Sequence, residues 1–496
     1  MNESTLKITD LEYDDAKFIS EQFSFYVDNY RFTPQYKMGK WDGRIKLYNM
    51  FNSTIPAGCL DKLCKVLSNA GIDYTLEGID IVQFDLDRDN VQSFLKDELK
   101  CKLDFFDHQY DAFVGLLKEN RGIGVLPTGS GKSLFQYAII NYLLNKGYAE
   151  KVLLVVPSIS LVNQMEFDFL EYASELPNYQ DKLHKVYGGQ DKNTDKPITI
   201  STWQSLQELN QEWFEQFDVL MVDECHTCTA KVLSKIVTYC TNTPFRYGVS
   251  GTLSESKVNE MQLEALFGKI THFTTTKELT DKGILSPIKI YNIVAKYDND
   301  VKKKFNATLK SIRDKQKAKK EGVGAKLYQA ENEFLQELKV RKRFILKTIN
   351  KCKGNTLVLF RNVEYGKELC ELATKYLDRN VYLVYGDVKP NERERIRQIM
   401  EEEDDAIIFA TLQIFSTGIN IKKLKYLIFS QNIKSKIKVI QSIGRTLRKH
   451  KTKKSAVLID IIDNINGKNY SVKHAMDKLE LYDEEGHEYK IKEVNL

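Results

Sequence analysis

The sequence lacks any long apolar run. Its longest apolar stretches, such as VLLVV at Val152–Val156, are far shorter than the roughly 20 apolar residues that a membrane-spanning helix needs. The opening segment MNESTLKITD also lacks the basic start and apolar stretch of a signal peptide. We therefore expect no membrane association and a cytoplasmic location, for a globular chain with 42% apolar and 28% charged residues.

The eight cysteines show no spacing that is typical of a disulfide framework. In a chain of 496 residues we expect them to be reduced thiols. Cys225 and Cys228 have the CxxC spacing of zinc and redox sites, but no second pair lies nearby at ligand spacing. The sequence therefore favours no metal or redox site at these cysteines.

Acidic residues are absent from residues 421–459, which hold 12 Lys+Arg. Residues 301–353 hold 17 Lys+Arg against 5 Asp+Glu, although the net charge of the whole chain is only +5. Positive charge that is concentrated in this way is typical of proteins that bind a polyanion. A solvated helix face is the alternative interpretation of either segment taken alone.

Strand-like and helix-like segments alternate along two stretches of the chain, around residues 122–252 and again around 356–462. Short β-rich apolar runs followed by amphipathic helices are typical of parallel sheets that are buried on both faces. The runs lie at Val152–Val156, Val219–Val222, Thr356–Phe360, Tyr382–Val384 and Ile407–Phe409, and the helical stretches include Ser133–Asn145, Leu161–Tyr172 and Glu364–Tyr376. The pattern predicts an α/β protein with two parallel-sheet lobes in tandem.

The length and the changes in composition predict four parts. Residues 1–97 are rich in aromatic residues and turns, and we expect a small N-terminal α+β domain. The first lobe is expected at 98–285 and the second at 286–462, with a basic helical segment at 299–352. Residues 463–496 are polar and are predicted to form a short C-terminal helical tail.

The string LPTGSGKS at Leu126–Ser133 follows an apolar strand and opens a helix, which is the context of a phosphate-binding loop. Its glycines allow a tight turn whose N–H groups face a phosphate, Lys132 can reach the β- and γ-phosphates, and Ser133 can hold Mg²⁺. Leu126 replaces the usual first Gly or Ala without removing any of these groups. The ATP-binding candidates of the loop are Pro127, Thr128, Gly129, Ser130, Gly131, Lys132 and Ser133.

The string DECH at Asp223–His226 follows the apolar run VLMV. A strand that ends in two adjacent carboxylates beside a phosphate loop suits nucleotide hydrolysis. Asp223 can hold Mg²⁺, and Glu224 can polarise the attacking water. We therefore predict an ATPase in which Lys132, Asp223 and Glu224 are catalytic and Mg²⁺ accompanies ATP.

These motifs, with others between Phe105 and Arg448, resemble those of the superfamily 2 helicases. The matching strings are FFDHQ at Phe105–Gln109, VVPSISLVNQ at Val155–Gln164, STWQSL at Ser201–Leu206, SGT at Ser250–Thr252, TLVLF at Thr356–Phe360, ATLQIFSTGINI at Ala410–Ile421 and QSIGRTLR at Gln441–Arg448. The resemblance implies two RecA-like lobes.

The same resemblance implies roles for single residues. Gln109 is expected to read the adenine, and Gly418 and Asn420 to contact ATP. Gln441, Arg445 and Arg448 are expected to be catalytic, with the arginines stabilising transition-state charge on the phosphates. A phosphate-backbone contact is the alternative role of these arginines.

The resemblance also implies nucleic-acid contacts that do not read bases. The residues concerned are Ser158, Gly188, Gly189, Thr202, Arg361, Thr411 and Ser416. For each Ser or Thr, the alternative is a helix cap or a turn.

Aromatic and basic residues alternate in YRFTPQYKMGKWDGRIKLY at Tyr30–Tyr48. The Asp42-Gly43 pair favours a hairpin. Lys40 and Arg44 can contact phosphates while the aromatic rings stack on bases, or the rings can form a small core instead. This segment, with the helicase motifs, is similar to the phage UvsW-like helicases.

That similarity implies an ATP-dependent 3′-to-5′ helicase that acts as a monomer on single-stranded and branched DNA: forks, Holliday junctions, D-loops and R-loops. If the chain is phage-encoded, its location would be the host cytoplasm. An RNA or RNA–DNA hybrid helicase is the first alternative. The motor subunit of a restriction or nuclease system is less favoured, because no third α/β domain is available. A scaffold without activity would not need Lys132, Glu224 and Arg445 together.

Overall fold

Two seven-stranded parallel sheets organise the chain, one in each of two compact units, Met1–Thr274 and Thr275–Leu496. The computed structural model describes residues 2–78, 81–253, 256–319, 323–418, 421–451 and 453–496. The predicted α/β fold with two parallel-sheet lobes and a small N-terminal α+β region is confirmed. Within the described residues, no helix combines the length and the apolar character that crossing a bilayer requires.

The first unit begins with a small antiparallel module. Its strands are β1 (Thr5–Lys7), β2 (Ser24–Tyr26), β3 (Arg44–Lys46) and β4 (Thr54–Pro56), and its helices are α1 (Tyr13–Gln22), α2 (Pro34–Lys37), α3 (Leu60–Ala70) and α4 (Arg88–Ser93). β1 pairs with β4, and β2 pairs with β3. Its core includes Ile19, Phe23, Tyr48 and Ile55, together with Ala265 from the first lobe, so the module packs on that lobe.

The prediction of a hairpin that turns at Asp42-Gly43 is wrong about which strands pair. β3 pairs with β2 rather than with residues just before Asp42, and the intervening chain forms helical turns at Tyr30–Phe32 and Pro34–Lys37. Thr33 caps the second turn, because its hydroxyl accepts a hydrogen bond from the Tyr36 N–H at 3.4 Å. Proline at the first helical position fits this start, since its fixed φ suits a helix.

The first sheet has the order β11-β5-β10-β9-β6-β8-β7, and its strand pairs are all parallel. The strands are β5 (Arg121–Val125), β6 (Val152–Val156), β7 (Leu183–Val186), β8 (Ile198–Thr202), β9 (Val219–Asp223), β10 (Phe245–Ser250) and β11 (Ile270–His272). The helices are α5 (Asp107–Glu119), α6 (Lys132–Asn145), α7 (Ile159–Tyr172), α8 (Trp203–Leu206), α9 (Gln211–Phe214), α10 (Lys231–Tyr239) and α11 (Lys257–Phe267). Helices cover both faces, which explains why the central strands read as unbroken apolar runs.

The second sheet has the order β14-β15-β13-β16-β17-β12-β18 and is also parallel throughout. Its strands are β12 (Ile288–Lys296), β13 (Thr356–Phe360), β14 (Val381–Val384), β15 (Ile407–Thr411), β16 (Tyr426–Phe429), β17 (Ala456–Asn464) and β18 (Tyr489–Asn495). The helices are α12 (Thr276–Asp281), α13 (Asn299–Lys319), α14 (Gly324–Glu337), α15 (Lys339–Lys351), α16 (Val363–Tyr376), α17 (Pro390–Glu402), α18 (Leu412–Gly418), α19 (Lys436–Thr446) and α20 (Tyr470–Glu484).

The C-terminal tail is only partly helical. α20 agrees with the helical prediction, but β18 adds a parallel edge strand to the second sheet beside β12. Its residues are mostly exposed, and an exposed edge strand has no apolar run that would distinguish it from a polar tail.

The basic segment between β12 and β13 forms the helices α13, α14 and α15. A buried ion pair fixes α15 to the sheet: Arg341 Nε and Nη2 donate to the two carboxylate oxygens of Asp463 at 2.7 and 2.9 Å. Arg341 also donates to the Tyr365 hydroxyl and to the Ser430 carbonyl. The carboxylate and its neighbours raise the pKa of Arg341 in spite of its burial. Phe305 of α13 and Leu335 of α14 share a core with Ala295 of β12, so the three helices are an integral part of the second unit.

Candidate active site

The loop between β5 and α6 has the backbone that a phosphate cradle requires. Gly129 and Gly131 have backbone φ angles of +90° and +82°, which residues other than glycine rarely adopt. A Cβ at Gly131 would lie 2.3 Å from Gln109 Nε2. α6 starts directly after this loop, so its free N–H groups and positive dipole end are available to an anion.

Lys132 extends along this loop, where its Nζ donates to the Leu126 carbonyl at 3.1 Å. A Cβ at Gly251 would lie 3.3 Å from that Nζ, so the glycine of SGT keeps the space beside Lys132 clear. Among the described residues, the hydroxyls of Ser130 and Thr252 are buried without a hydrogen-bond partner. A ligand that accepts hydrogen bonds, such as a triphosphate, suits this set of groups.

The carboxylates of DECH lie at the same edge of the sheet. β10 pairs with β5 on one side and with β9 on the other, which aligns Ser250 with Val125 and Val249 with Asp223. The P-loop, DECH and SGT therefore follow adjacent strands at their carboxyl ends, where ligands bind in open α/β sheets.

Asp223 is buried, and its carboxylate accepts a hydrogen bond from Gln136 Nε2 at 3.3 Å. Burial and the nearby charge of Glu224 raise the pKa of Asp223 to about 6, while Lys132 opposes the shift. A carboxylate that is costly to ionise without a cation beside it is suited to bind one.

Glu224 has a backbone φ of +52°, which is uncommon for a residue that is not glycine and often marks a functional position. Its Oε2 lies 3.2 Å from His226 Nδ1 and 3.4 Å from Ser250 Oγ. His226 Nδ1 also lies 2.9 Å from Ser250 Oγ. DECH and SGT are thus connected through these polar side chains.

The start of α5 holds the P-loop from the other side. Gln109 is buried, its Nε2 donates to the Gly131 carbonyl at 3.0 Å, and its Oε1 accepts from the Phe106 N–H at 2.9 Å. His108 Nε2 lies 2.8 Å from the Ser130 carbonyl. Gln109 therefore links the start of α5 to the phosphate loop. A displacement of either one is expected to displace the other.

Ser133, the other candidate ligand of Mg²⁺, has its hydroxyl 2.8 Å from the hydroxyl of Tyr172 on α7. Gln136, Tyr172, His108 and His226 are functional candidates that the sequence did not single out. His108 and His226 lie within the motifs FFDHQ and DECH, so their place in a motif could have identified them as candidates. Gln136 and Tyr172 reach the site only through the packing of α6 and α7, for which the sequence offers no local signal.

The second unit holds the remaining ATP candidates. Gln441 and Arg445 are buried on α19, and Arg448 is half-buried just beyond it. Lys453 fixes this region, because its Nζ donates to the carbonyls of Lys422, Leu424 and Thr446 at 2.8–3.1 Å. Gly418 is the last residue of α18, and Asn420 lies outside the described residues.

The nucleic-acid candidates of the first lobe differ in access. Gly188 and Gly189 have positive φ and open space around them. Ser158 caps α7, since its hydroxyl accepts from the Leu161 N–H. Thr202 is buried, with its hydroxyl 3.0 Å from that of Ser205. The open backbone at the glycines is thus more accessible than the two hydroxyls.

In the second unit, Thr411 ends β15 and is half-buried, and Ser416 belongs to α18, although its side chain lies outside the described part of the chain. Arg361 is exposed directly after β13, and its guanidinium binds the hydroxyl of Tyr328 on α14 and lies over that ring.

The N-terminal module carries an exposed ladder of tyrosines and arginines, which we call the Tyr–Arg ladder. The rings of Tyr26 and Tyr30 stack at 4.7 Å, and Tyr36 packs edge-on against Tyr30 at 4.8 Å. The Arg44 guanidinium lies 4.4 Å from the centre of the Tyr26 ring and donates to its hydroxyl, while Arg31 donates to the Tyr30 hydroxyl.

The ladder is built on the surface, whereas Tyr48 of the same segment lies in the core of the module, so the small-core alternative holds for that ring. Tyr26 is 48% exposed and Tyr36 37% exposed, and Lys40 is exposed beside them. Gly43 is required, because a Cβ there would lie 2.1 Å from the Tyr30 ring.

Three family models match successive parts of the chain. They are "DNA helicase UvsW, N-terminal" at residues 7–78, "Type III restriction enzyme, res subunit" at 91–255 and "Helicase conserved C-terminal domain" at 339–450. The ATP-dependent DNA helicase UvsW of Enterobacteria phage T4 is 33% identical over 96% of this chain and 94% of its own length. The chain belongs to the UvsW family of DNA helicases.

Two further matches are more distant. The DNA 3′-5′ translocase XPB2 of Sulfurisphaera tokodaii is 24% identical over 73% of this chain and 82% of its own length. The structure of the ATP-dependent Type ISP restriction-modification enzyme LlaBIII bound to DNA covers 80% of this chain and 32% of that one, with a TM-score of 0.56 and 17% identity. At that identity the likeness shows the fold alone.

Membership of the UvsW family confirms the prediction of an ATP-dependent superfamily 2 DNA helicase with two RecA-like lobes. It also agrees with the geometry of the first unit, where the P-loop, DECH and SGT meet at one sheet edge.

Proposed function

We propose that this UvsW-family helicase remodels branched DNA, namely forks, Holliday junctions, D-loops and R-loops, and that it moves 3′ to 5′. The Tyr–Arg ladder is the observation that supports the substrate class. Arginines track phosphates and exposed rings stack on unpaired bases, and branched DNA offers both close together. The 3′-5′ direction is supported by the name of the translocase relative from Sulfurisphaera tokodaii.

In the proposed reaction, the P-loop residues 127–133 bind the triphosphate, and Lys132 neutralises its β- and γ-oxygens. Ser133 and Asp223 would hold Mg²⁺, an ion that typically uses one or two protein oxygens together with phosphates and water. One hydroxyl at the start of α6 and one carboxylate at the end of β9 fit that requirement. The bound ion would neutralise developing phosphate charge.

Glu224 is proposed to orient and polarise the attacking water, with its carboxylate positioned by His226 and Ser250. Gln109 is proposed to report adenine binding to the P-loop through its bond to the Gly131 carbonyl. Gln441, Arg445 and Arg448 of the second unit, with Gly418 and Asn420, are proposed to contact ATP. The arginines would stabilise transition-state charge.

DNA is proposed to contact both units without base reading. The candidates are Ser158, Gly188, Gly189, Thr202, Arg361, Thr411 and Ser416, together with Lys40 and Arg44 of the N-terminal module, which would be a nucleic-acid-binding domain. The protein is proposed to act as a monomer in the cytoplasm.

The test compares ATPase and unwinding on a fork, a four-way junction, an R-loop and duplex RNA. Wild type should process the branched DNA substrates fastest. The Arg31→Ala/Arg44→Ala variant should lose junction processing by about tenfold, while its ATPase with single-stranded DNA persists, since it loses two proposed phosphate contacts and the guanidinium that lies over the Tyr26 ring. Lys7→Ala/Lys17→Ala removes two exposed charges of the same module that are not part of the ladder and is the matched control. Equal losses in both variants would contradict a specific role for the ladder.

An RNA or RNA–DNA hybrid helicase is the second candidate. The motor motifs are shared between the two classes, so the same four substrates separate them. A preference for the R-loop or for duplex RNA over the fork and the junction would replace the branched-DNA assignment.

A further inference from the structure

The turn between β3 and β4 presents two apolar side chains to solvent. Phe51 is 99% exposed and Met50 is 39% exposed, and no other large apolar side chain among the described residues is as exposed as Phe51. A single exposed apolar residue is ordinary on a protein surface. This turn differs in two ways: hydrogen bonds hold it in one conformation, and its strands are joined to the first lobe.

The turn is held in one conformation by short-range hydrogen bonds. Asn49 and Thr54 exchange backbone hydrogen bonds at 2.8 and 3.2 Å, and the Asn49 side chain accepts from the Phe51 N–H at 2.9 Å. Ser53 takes a left-handed φ of +56°, and its carbonyl accepts from the Ile8 N–H at 2.8 Å. Ordering a turn costs conformational entropy, and the Phe51 side chain gains no burial in return. Such a tip suits a partner with an apolar face.

The tip is joined closely to the first lobe. β4 runs directly into the helical turn Ala57–Cys59, where a Cβ at Gly58 would lie 2.2 Å from the Glu264 carbonyl oxygen at the end of α11. β1, the partner of β4, is preceded by Ser4, whose hydroxyl accepts from the buried Arg246 at 2.7 Å. Both strands that support the tip therefore move with the lobe that binds ATP.

The tip is also near the proposed DNA path. β3 starts at Arg44 of the Tyr–Arg ladder, and the seven residue steps from Arg44 to Phe51 span at most roughly 25 Å. One turn of duplex DNA is about 34 Å long. A duplex end held at the ladder thus lies within reach of the tip.

We propose that Met50 and Phe51 form a strand-separation wedge that packs against the last base pair of a duplex, at its boundary with single-stranded DNA. Apolar side chains such as Phe and Met are the types that unstack base steps. The proposal rests on the proposed contact between the N-terminal module and DNA. It adds the residues that open the base pair.

The experiment uses the full chain with Phe51→Ala, Phe51→Trp and the matched control Phe167→Ala. Phe167 is 66% exposed on α7, so the control removes another exposed phenylalanine ring from the same unit. The substrate is a plain duplex with a 3′ single-stranded tail, and 2-aminopurine replaces the adenine of the first base pair. Two quantities are measured: the 2-aminopurine fluorescence on binding without ATP, and the base pairs separated per ATP hydrolysed.

Wild type, Phe51→Trp and Phe167→Ala should raise the fluorescence, which reports unstacking. Phe51→Ala should lose that rise, and the base pairs that it separates per ATP should fall about tenfold, as expected for one lost stacking contact. The wedge is overturned if Phe51→Ala unwinds as wild type does, if Phe167→Ala fails equally, or if Phe51→Trp does not restore the fluorescence. A docking site for another protein would give the first of these results.

This test is separable from that of the proposed function. The tailed duplex has no branch, so a wild-type protein without any preference for junctions still reports on the wedge. Conversely, the comparison of four substrates uses wild type and the ladder variants and does not depend on Phe51.

Discussion

At the scale of single residues, Asp223 connects stability to the ATP site. Its folded-state pKa is raised to about 6 from an ordinary value of 3.8, chiefly by burial. The protonated form is thus favoured in the folded state. The group stabilises the fold at pH below about 4, and this contribution is lost as the pH rises through about 6. At neutral pH the apo protein therefore carries a buried charge at a cost of roughly 3 kcal/mol.

Asp223→Asn should accordingly be more stable than wild type at pH 7.5 when Mg²⁺ and nucleotide are both absent. The difference in the free energy of unfolding should shrink as the pH falls from 7 towards 4, because wild-type Asp223 becomes protonated. Denaturant unfolding of both proteins at several pH values in EDTA measures this difference in the free energy of unfolding. A difference that does not vary with pH would contradict the raised pKa.

The residue scale also marks the limit of sequence reading. Lys132, Asp223 and Glu224 could be proposed because the P-loop and DECH have fixed local spacing and each follows a strand, β5 or β9, of the same parallel sheet. Tyr172 and Gln136 could not, because their partners Ser133 and Asp223 are reached only after α6 and α7 have packed. Motif spacing indicates which groups react, whereas tertiary packing decides which side chains hold them in place.

At the scale of secondary-structure elements, the strands that the sequence predicts correctly are the buried ones. Strands such as β6 and β13 are buried throughout and read as apolar runs, so the sequence indicated them correctly. β18 is an exposed edge strand, and the pairing of β2 with β3 spans helical turns. Neither has a local pattern that specifies its partner, and both were missed.

The core of the first lobe also limits which deletions can test the N-terminal region. Residues Phe84, Leu86, Val91, Phe94, Leu95 and Leu99 lie in the core of the first lobe, although they precede Lys100. Deleting residues 1–100 would therefore remove part of that core and lower the ATPase for structural reasons. Point substitutions on the module surface avoid this problem.

The contact between the N-terminal module and α11 gives an element-scale prediction. Gly58→Ala places a methyl group 2.2 Å from the Glu264 carbonyl oxygen and 2.7 Å from that of Ala265. Since these are backbone atoms, the contact must shift, and we expect a loss of about 1–3 kcal/mol in stability. Thermal denaturation measures it.

Gly386→Ala is the control for Gly58→Ala, because a Cβ there meets nothing within 4 Å. Its melting temperature should stay near that of wild type. If Gly58→Ala also unfolds like wild type, the module does not pack tightly on the first lobe.

At the scale of the whole molecule, charge is divided between the two units. The second unit holds 46 Lys+Arg and 30 Asp+Glu, whereas the first holds 27 and 38. Both basic segments, 301–353 and 421–459, belong to the second unit. The second unit is therefore expected to supply most of the attraction to the DNA backbone, and the acidic first unit to contribute contacts that are local, such as the Tyr–Arg ladder.

This division predicts a steep dependence of DNA affinity on salt. With six or more phosphate contacts, affinity should fall about 10³-fold between roughly 50 and 200 mM salt, because phosphate contacts release counterions. Fluorescence anisotropy of labelled single-stranded DNA measures the slope. A slope near zero would show that the concentrated positive charge is a solvated surface without a role in binding.

The assignment of Arg445 is the remaining prediction at the molecular scale, because it requires the second unit to act on a nucleotide bound by the first. Arg445→Ala should lower the turnover number for ATP by about 10³, as for other arginines that stabilise phosphoryl transfer. Binding of a fluorescent ATP analogue should change little. The exposed Lys449, four residues further along the chain, supplies the control Lys449→Ala, which removes the same charge and should keep its turnover. Since Arg445 is buried, Arg445→Lys with an unfolding measurement separates chemistry from folding. Unchanged turnover in a variant that binds DNA weakly would instead make Arg445 a phosphate-backbone contact.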